Sequence, residues 1–309
     1  MAADVTVIGG GISGLACARA ATAAGLSVRV LDRGRRVGGR LATRTLWGRP
    51  VDHGASYFVV GDSAPFEELV AGWQDGGLAR RWTDTFVVIG ADGSQTQKPG
   101  PMRWAAPQGL RSLAADLADG LDVHLERTVE TVEPYRVDGQ DAGEVVLAMP
   151  GPQAARLADA APGADIEWEP VIAVALRWDR RQWPEDLHGA FVDDHPDVSF
   201  IADDGDRRGD AAPVLVVHTT AQRARQHLDD PMTVIPIVVG ATRRLLGIRD
   251  APAETFAHRW TFARPVQTSG APYDRSPGLS ACGDAWGESP AVRTAWGSGH
   301  ALGLALAAS

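Results

Sequence analysis

The chain of 309 residues has one lysine, Lys98, and two cysteines, Cys17 and Cys282. Two distant cysteines provide neither a disulfide framework nor the clustered spacing of metal ligands, so we expect packed thiols and no metal. The other basic residues are arginines spread among acids, and the formal net charge is −9. That distribution lacks the basic stripe of a nucleic-acid-binding surface, so no nucleic acid is expected as a partner.

Long hydrophobic runs are also absent. No apolar segment approaches the roughly 20 residues that a membrane-spanning helix needs. The first residues, Met1-Ala-Ala-Asp4, lead directly into an apolar run and leave no room for a signal peptide. We therefore expect a cytoplasmic protein that does not contact membranes. Hydrophobic content of 44% and charged content of 22% are typical of a globular chain, long enough for one large domain or two modest ones.

Glycine, by contrast, is abundant, and it is ordered near the N-terminus. The β-branched run Val5–Ile8 predicts a buried strand, and an Ala-rich helical run follows it. Between them, Gly9, Gly11 and Gly14 have the G-x-G-x-x-G spacing. The first glycine permits a tight turn, the second lets a pyrophosphate approach the backbone, and the third lets the helix pack on the strand. The N-terminus of that helix then offers free N–H groups to phosphate.

A second apolar run ends at Asp32, eighteen residues after Gly14. A carboxylate at this place can accept hydrogen bonds from both hydroxyls of an adenosine ribose. The strand–turn–helix–strand context with this acid predicts an adenine dinucleotide site. The alternative is a glycine turn in an ordinary βαβ unit. The fingerprint alone does not say which dinucleotide binds.

The run after Asp32, Arg33 to Thr43, contains a second glycine doublet in Arg36-Val-Gly-Gly-Arg-Leu-Ala-Thr. It resembles the R-x-G-G-R-x-x-[ST] motif of the flavin amine oxidase superfamily, which lies beside the FAD pyrophosphate and flavin. The resemblance implies that Arg40 meets phosphate with its planar, permanently charged fork. The alternative is a solvated basic loop. The segment Val51 to Phe58 is similar to the family's D-x-G-A segment, although the family does not fix a histidine at His53.

The end of the chain has a matching element. A short apolar run precedes Gly283-Asp284, and a helix rich in small residues follows from about residue 291. The resemblance implies an acid on the ribityl–phosphate part of FAD and a helix N-terminus at the flavin's pyrimidine edge; the alternative is an ordinary packing helix. This element favours FAD, bound non-covalently, over NAD. The expected cofactor-binding residues are Gly9, Gly11, Ile12, Ser13, Gly14, Asp32, Arg33, Arg36, Gly39, Arg40, Leu41, Val129, Gly283, Asp284, Val292 and Ala295.

The order of helical and strand-like runs predicts an α/β fold in which a Rossmann-like FAD-binding domain carries an inserted α+β substrate domain with a mostly antiparallel sheet. We place the FAD-binding domain at 1–60, 103–160 and 265–309, and the substrate domain at 61–102 and 161–264. Within these, residues 123–132 are expected to form a strand, residues 203–210 a hairpin connection, and the polar stretch around Lys98 a surface turn.

Over its whole length the chain resembles the bacterial renalase-like branch of that superfamily. The likeness is carried by Val145 to Leu157, Val216 to Thr220 and Ala257 to Pro265. The chain departs from the branch after Thr220, where Ala221-Gln-Arg-Ala replaces a Trp-Ser-like pair, and at 204–209, which lacks a Ser-Lys-Pro-like sequence.

The resemblance implies an FAD oxidase that converts 2- or 6-dihydroNAD(P) to NAD(P)+, with O2 reoxidising the flavin to H2O2. Alternatives are an amine oxidase or desaturase acting on a small biosynthetic substrate, and a non-catalytic flavin-binding protein. Candidate substrate contacts are His218, His258, Arg259 and Trp260, each of which could instead be structural; Trp296 and His300 are weaker candidates. We expect a monomer or a homodimer.

Overall fold

The computed structural model describes residues 3–90 and 92–308. By internal packing the chain forms two units: unit 1 comprises the segment ending at Leu41, Arg111–Trp168 and the segment starting at Arg264, and unit 2 comprises Ala42–Leu110 and Glu169–Ala263. These breaks differ from those placed by sequence at 60, 102, 160 and 264. Residues 42–60 fall in unit 2 because Val51 packs against Ala175 and Val216 of that unit's sheet.

Most helices and strands are short, and two single turns of 3-10 helix occur at Gly39–Leu41 and Pro231–Val234. In chain order they are β1 (Val5–Ile8), α1 (Ile12–Ala23), β2 (Val28–Leu31), β3 (Thr43–Leu46), β4 (Arg49–Asp52), β5 (Phe58–Val59), α2 (Ala64–Asp75), β6 (Arg80–Ile89), β7 (Gln95–Ala105), α3 (Arg111–Ala118), β8 (Asp122–His124), β9 (Val132–Glu133), β10 (Arg136–Val137), β11 (Gln140–Asp141), β12 (Glu144–Leu147), α4 (Gly151–Ala154), β13 (Trp168–Arg177), β14 (Gly189–Val192), β15 (Val198–Asp203), α5 (Asp204–Arg208), β16 (Val214–Thr219), α6 (Ala221–Arg225), α7 (Ile235–Leu246), β17 (Glu254–Pro265), β18 (Asp274–Ser276), β19 (Leu279–Ala281) and α8 (Val292–Ala307).

Unit 1 is built on a six-stranded sheet in the order β18-β19-β12-β1-β2-β8. The five strands from β19 to β8 are parallel, and β18 adds an antiparallel edge. Because β1 lies inside the sheet, all four of its residues are buried; three are apolar, and the hydroxyl of the fourth, Thr6, donates to the Ala142 carbonyl at 2.8 Å. This is the predicted Rossmann-like arrangement. The strand expected over 123–132 is shorter: β8 ends at His124, and Glu126 has a positive φ of 55° that turns the chain away.

Helices α1 and α8 pack against each other at backbone distance. A Cβ added at Gly299 would lie 1.9 Å from the Ser13 carbonyl oxygen, and one at Gly303 would lie 2.4 Å from the Cys17 carbonyl oxygen. Only glycine permits such an approach. We expected the small residues of α8 to bring it close to a cofactor. They also allow α8 to pack tightly on α1, and this contact fixes the first turn of α1.

Unit 2 is an eight-stranded sheet in the order β17-β13-β16-β15-β14-β6-β7-β5. The pairs whose register is described are antiparallel except β14 with β6. The unit's largest core cluster includes Ile172, Val174 and Leu215 of the sheet together with Val238 and Ala241 of α7. Because successive strand residues point to opposite faces, the other face carries Ala173, Ala175, Val216 and His218.

Among the described residues, no helix combines the length and apolarity that crossing a bilayer demands. The same residues contain no group of three or more His, Cys, Asp or Glu side chains placed to hold a metal ion.

Candidate functional site

The three glycines of the fingerprint differ in what surrounds them. Gly9 has a φ of 118°, and a Cβ there would lie 2.5 Å from the Ala148 carbonyl oxygen. A Cβ at Gly14 would lie 2.0 Å from the Gly9 carbonyl oxygen, so α1 rests directly on the β1 turn. A Cβ at Gly11 would meet nothing within 4 Å. Gly9 and Gly14 are therefore required by packing, whereas Gly11 borders open space at a helix N-terminus that no side chain caps.

Asp32 follows β2 and is held by backbone donors on both sides. Its Oδ2 accepts a hydrogen bond from Gly10 N at 2.6 Å, and its Oδ1 accepts one from Gly34 N at 2.6 Å. Each carboxylate oxygen keeps one further lone pair for a ligand hydroxyl. The carboxylate thus ties the glycine turn to the basic run and remains able to accept from a ribose.

The second glycine doublet lies against the first. Gly38 N donates to the Gly10 carbonyl at 2.8 Å, and Gly11 and Gly38 form a parallel bridge. Within this run Leu41 is buried, whereas Arg33 and Arg36 are exposed. The two glycine motifs, predicted separately, therefore form one surface, with Arg33 and Arg36 at its solvent side.

Arg40 and Asp284, which are 244 residues apart, form a bidentate ion pair. One of its two hydrogen bonds, from Arg40 Nη1 to Asp284 Oδ2, is 2.7 Å long. The Arg40 guanidinium also lies over the Trp168 ring, 5.1 Å from the centroid. The adjacent Gly283 N donates to Ser298 Oγ at 3.0 Å, which joins the Gly-Asp pair to α8. The motifs predicted at the two ends of the chain therefore meet in unit 1.

Arg40, Trp168, Gly283 and Asp284 line a cleft in unit 1 that is partly open to solvent. Its polar lining includes Ser13, Arg40 and Asp284. The other predicted cofactor residues lie on neighbouring elements: Val129 packs with Ile8 and Leu31 where β1 and β2 end. Val292 and Ala295 stand in the first turn of α8, and Ile12 in the first turn of α1. A dinucleotide fits this donor set: an open glycine, two helix N-termini and a cation on an aromatic ring.

A ring cluster occupies one face of unit 2. His53, which is 5% exposed, lies 4.4 Å from the His258 ring and 5.7 Å from the Trp260 ring, centroid to centroid. The His258 and Trp260 rings are 4.6 Å apart, and Trp260 Nε1 donates to the His53 carbonyl at 2.7 Å. The Arg44 guanidinium lies 4.8 Å over the Phe256 ring. Burial, together with Arg44 and Arg259, lowers the pKa of His258.

His218 stands on β16, opposite Phe200 of β15 and Ala173 of β13. Its Nε2 atom is buried and has no hydrogen-bond partner in the described part of the chain. Burial, reinforced by the Arg207 charge, lowers the pKa of His218 to about 4. A neutral imidazole therefore faces this side of the sheet at physiological pH.

Arg259 is not brought together with the other candidates. It is exposed, and its side chain donates to the Leu228 carbonyl. Strand alternation explains this, because His258 and Trp260 share one face of β17 and Arg259 points to the other. Lys98 also differs from expectation: it is exposed but lies within β7, paired with Phe86 of β6, rather than in a surface turn.

A buried ion network was missed by the sequence interpretation. Residues 203–210 link the antiparallel strands β15 and β16, as expected, but this connection contains helix α5, and Asp204 and Arg207 are fully buried. Asp204 pairs with Arg49, Arg207 and Arg208, and Arg208 Nη2 lies 2.8 Å from Asp52 Oδ2. Burial alone would raise the pKa of Asp204, but the three arginines outweigh it and hold that pKa well below its usual value.

This network supports the ring cluster. Arg207 Nη1 donates to the Ser56 carbonyl at 2.9 Å and Nη2 to the Asp52 carbonyl at 2.8 Å, on either side of His53. Asp52 Oδ1 also accepts from Leu110 N at 3.0 Å and from the Thr43 hydroxyl, so Thr43 contacts unit 2 rather than the cleft. The spacing Asp204, Arg207, Arg208 is that of ion pairs on one helix face, and this was the available signal.

Comparison with known proteins gives two family matches. Residues 7–73 match the NAD(P)-binding Rossmann-like domain, and residues 78–298 match the flavin containing amine oxidoreductase family. Among curated proteins, polyamine oxidase 4 of Oryza sativa subsp. japonica is 55% identical over 54 residues, and polyamine oxidase 5 of the same organism is 51% identical over 54 residues. Each match covers 18% of this chain and 11% of the relative, so the chain matches only about a tenth of the length of these curated relatives.

Solved structures resemble the whole chain. Cyclohexylamine oxidase from Brevibacterium oxydans IH-35A has a TM-score of 0.79 at 16% identity, covering 100% of this chain and 99% of that one. A putrescine oxidase variant has a TM-score of 0.74 at 16% identity, with 100% of both chains covered. At this identity the likeness concerns the fold, and it confirms the predicted α/β class. The family match over 78–298 confirms the predicted flavoprotein class and FAD as its cofactor: the chain belongs to the flavin containing amine oxidoreductase family.

Proposed function

We propose that the protein is an FAD-dependent oxidase of the renalase-like branch, acting on a small, flat, anionic hydride donor. The proposed donor is a dihydronicotinamide isomer, 2- or 6-dihydroNAD(P), which is oxidised to NAD(P)+ while O2 is reduced to H2O2. The observation that carries the proposal is the ring-lined face of unit 2, where the charged neighbours of two neutral histidines are arginines. The unit 1 cleft would hold FAD through Gly11, Ser13, Asp32, Arg40 and Asp284.

Electrostatics support an anionic rather than a polycationic substrate. Burial first, and then Arg44 and Arg259, lower the pKa of His258; burial and Arg207 lower that of His218. A positive potential that disfavours imidazolium also disfavours a protonated polyamine, and it attracts a substrate that carries phosphates.

The ring cluster supports a flat substrate. His53 and Trp260 are close to parallel, with an interplanar angle of 19°, and His258 packs against both. Aromatic faces favour offset stacking with a planar ring. Bound FAD supplies the acceptor for two electrons and a proton as hydride. The chain's own residues then hold the donor flat and exclude water, and since hydride leaves a dihydropyridine without prior deprotonation, neutral His218 and His258 need not act as bases.

An amine oxidase or desaturase acting on a small biosynthetic substrate is the alternative. Family membership favours it, as does the structural likeness to cyclohexylamine oxidase and putrescine oxidase. The same ring cluster would then hold an aromatic or aliphatic amine in its neutral form.

Anaerobic mixing of the purified yellow protein with single donors tests the proposal. We expect 2- or 6-dihydroNAD(P) to bleach the flavin band near 450 nm, and air to restore it with release of H2O2. The second-order rate constant for flavin reduction should fall as salt is added, because salt screens the attraction between the arginines and an anionic donor. Bleaching by an amine instead would establish the alternative, and bleaching by neither would indicate a non-catalytic flavoprotein.

Paired variants on β17 locate the substrate contact. His258→Gln and Trp260→Leu should each raise KM for the dihydropyridine about tenfold or more, as the loss of one stacked contact predicts. Thr261→Ala, an exposed position on the same strand, is the matched control and should leave both KM and kcat unchanged. Equal kinetics in all three variants would place the substrate elsewhere.

A further inference from the structure

Trp168, the last residue of its unit 1 segment, has a buried indole N–H for which the described residues offer no acceptor. Its side chain is 8% exposed, and Nε1 has no hydrogen-bond partner in the described part of the chain. Leaving such a donor unpaired costs about 1–3 kcal/mol relative to water. Native proteins contain few such groups, and each one calls for a physical explanation.

Other tryptophans of the chain show what an indole N–H ordinarily does here. Trp82 donates to Asp206, Trp183 to Asp203, Trp178 to the Asp250 carbonyl and Trp260 to the His53 carbonyl, at 2.6–3.0 Å. Trp168 differs from them in its place: it lines the unit 1 cleft together with Arg40 and Asp284. The exception among these tryptophans therefore lies where a ligand is expected.

The chemistry of the site limits what can satisfy this donor. An indole nitrogen only donates, so its partner must be an acceptor. The Arg40 guanidinium lies 5.1 Å over the same ring and brings a permanent positive charge beside it. The indole N–H therefore needs a ligand acceptor that is compatible with a neighbouring cation, and an adenine dinucleotide provides phosphate oxygens of this kind.

We propose that Trp168 is a cofactor-binding residue whose Nε1–H donates to a phosphate oxygen of FAD, while its ring supports the Arg40 guanidinium. Sequence inspection did not identify it, because a tryptophan between Glu167 and Glu169 carries no cofactor motif. The inference concerns FAD affinity and does not depend on which substrate is oxidised. A protein that binds FAD through Trp168 but reduces it with no dihydropyridine would contradict the proposed reaction alone.

The test compares Trp168→Phe, which keeps the ring under Arg40 and removes the N–H, with Trp178→Phe. The second variant loses an N–H that is already satisfied by a carbonyl of unit 2. FAD release on dilution of the holoenzyme is followed by flavin fluorescence. A hydrogen bond to a charged acceptor predicts a Kd for FAD raised about 10- to 100-fold in Trp168→Phe. Trp178→Phe should melt at a lower temperature with an unchanged Kd. A Kd within twofold of wild type in Trp168→Phe would overturn the proposal and assign the N–H to a water molecule.

Competition by ADP identifies the acceptor. If the partner is a phosphate oxygen, Trp168→Phe weakens ADP binding by a factor similar to that for FAD. Unchanged ADP affinity alongside weakened FAD affinity would refute the phosphate assignment. Should the variant fail to fold, the wild type gives a further readout: FAD added back to the deflavinated, ¹⁵N-labelled protein should move one indole N–H signal downfield. No indole shift would contradict the proposal.

Discussion

Replacing Gly299 by alanine inserts one methyl group between α1 and α8. The added Cβ would lie 1.9 Å from the Ser13 carbonyl oxygen and 2.7 Å from the Ser13 carbonyl carbon. Both are backbone atoms of the first turn of α1, so no side chain can rotate away. The helices must separate by about 1.5 Å to restore an ordinary contact, and packed interiors yield to such shifts only at a cost.

The expected change in the free energy of unfolding combines two opposing contributions, overpacking and helix propensity. Overpacking a well-packed site costs about 1–3 kcal/mol. Alanine gains about 0.5–1 kcal/mol over glycine inside a helix. Because the obstructing atoms belong to the backbone, the overpacking cost exceeds the propensity gain, and we expect Gly299→Ala to lose about 1–2 kcal/mol of unfolding free energy. For a chain of this size that corresponds to a fall in melting temperature of about 2–6 °C.

The matched control is Gly72→Ala. Gly72 lies within α2, is exposed, and a Cβ there would meet nothing within 4 Å. Here only the propensity term acts, so the variant should be more stable than wild type by about 0.5–1 kcal/mol. Thermal and urea unfolding of both FAD-loaded variants gives the comparison. Since Ser13 lines the cleft, Gly299→Ala should also release FAD faster. A Gly299→Ala protein as stable as wild type would refute the rigid contact between α1 and α8.

Three further predictions concern buried charge and capping. The folded-state pKa of His218 is lowered to about 4, so its contribution to stability is present at neutral pH and is lost as pH falls from 6.5 to about 4. The free energy of unfolding should therefore fall less between pH 7 and pH 4 in His218→Gln than in wild type, by up to about 3 kcal/mol. Urea unfolding at the two pH values measures this difference. Asp204→Asn leaves Arg207 and Arg208 without a buried anion and should cost about 3–5 kcal/mol at pH 7. Because the folded-state pKa of Asp204 is lowered, that difference should shrink as pH falls below about 4, and a constant difference would contradict the assignment. Thr220 Oγ1 accepts from Arg223 N at the start of α6, and Thr220→Ala should cost about 1 kcal/mol in the same assay, whereas Thr220→Ser should cost little.

Local sequence patterns were sufficient to predict much of unit 1. The run Val5–Ile8, the glycine spacing and Asp32 describe consecutive residues whose contacts lie within one βαβ unit, and the structure shows the packing role assigned to Gly14. The pairing of Arg40 with Asp284 was not predicted, because no local pattern connects residues 244 positions apart; the likeness to known sequences assigned each of them to the cofactor separately.

The errors have identifiable physical causes. Residues 203–210 appear solvated because six of eight side chains are charged, and their burial depends on Asp52, about 150 positions earlier. A helical ion-pair spacing at Asp204, Arg207 and Arg208 was nevertheless present. The position of Arg259 could have been predicted from the sequence, because the two-residue period of a strand places Arg259 on the opposite face from His258 and Trp260.

The interleaving of the two units has a consequence for synthesis on the ribosome. Unit 1 draws on both ends of the chain: β1 and α1 come first, whereas β19 and α8, which complete its sheet and cover α1, are made last. Nascent β1 can pair with β2 early but must wait about 140 residues for β12. The cleft that Ser13 shares with Asp284 thus exists only after residue 284 has been synthesised. Cofactor capture in this cleft therefore requires a chain that extends at least to residue 284, and truncation anywhere before that residue leaves a chain without the cleft.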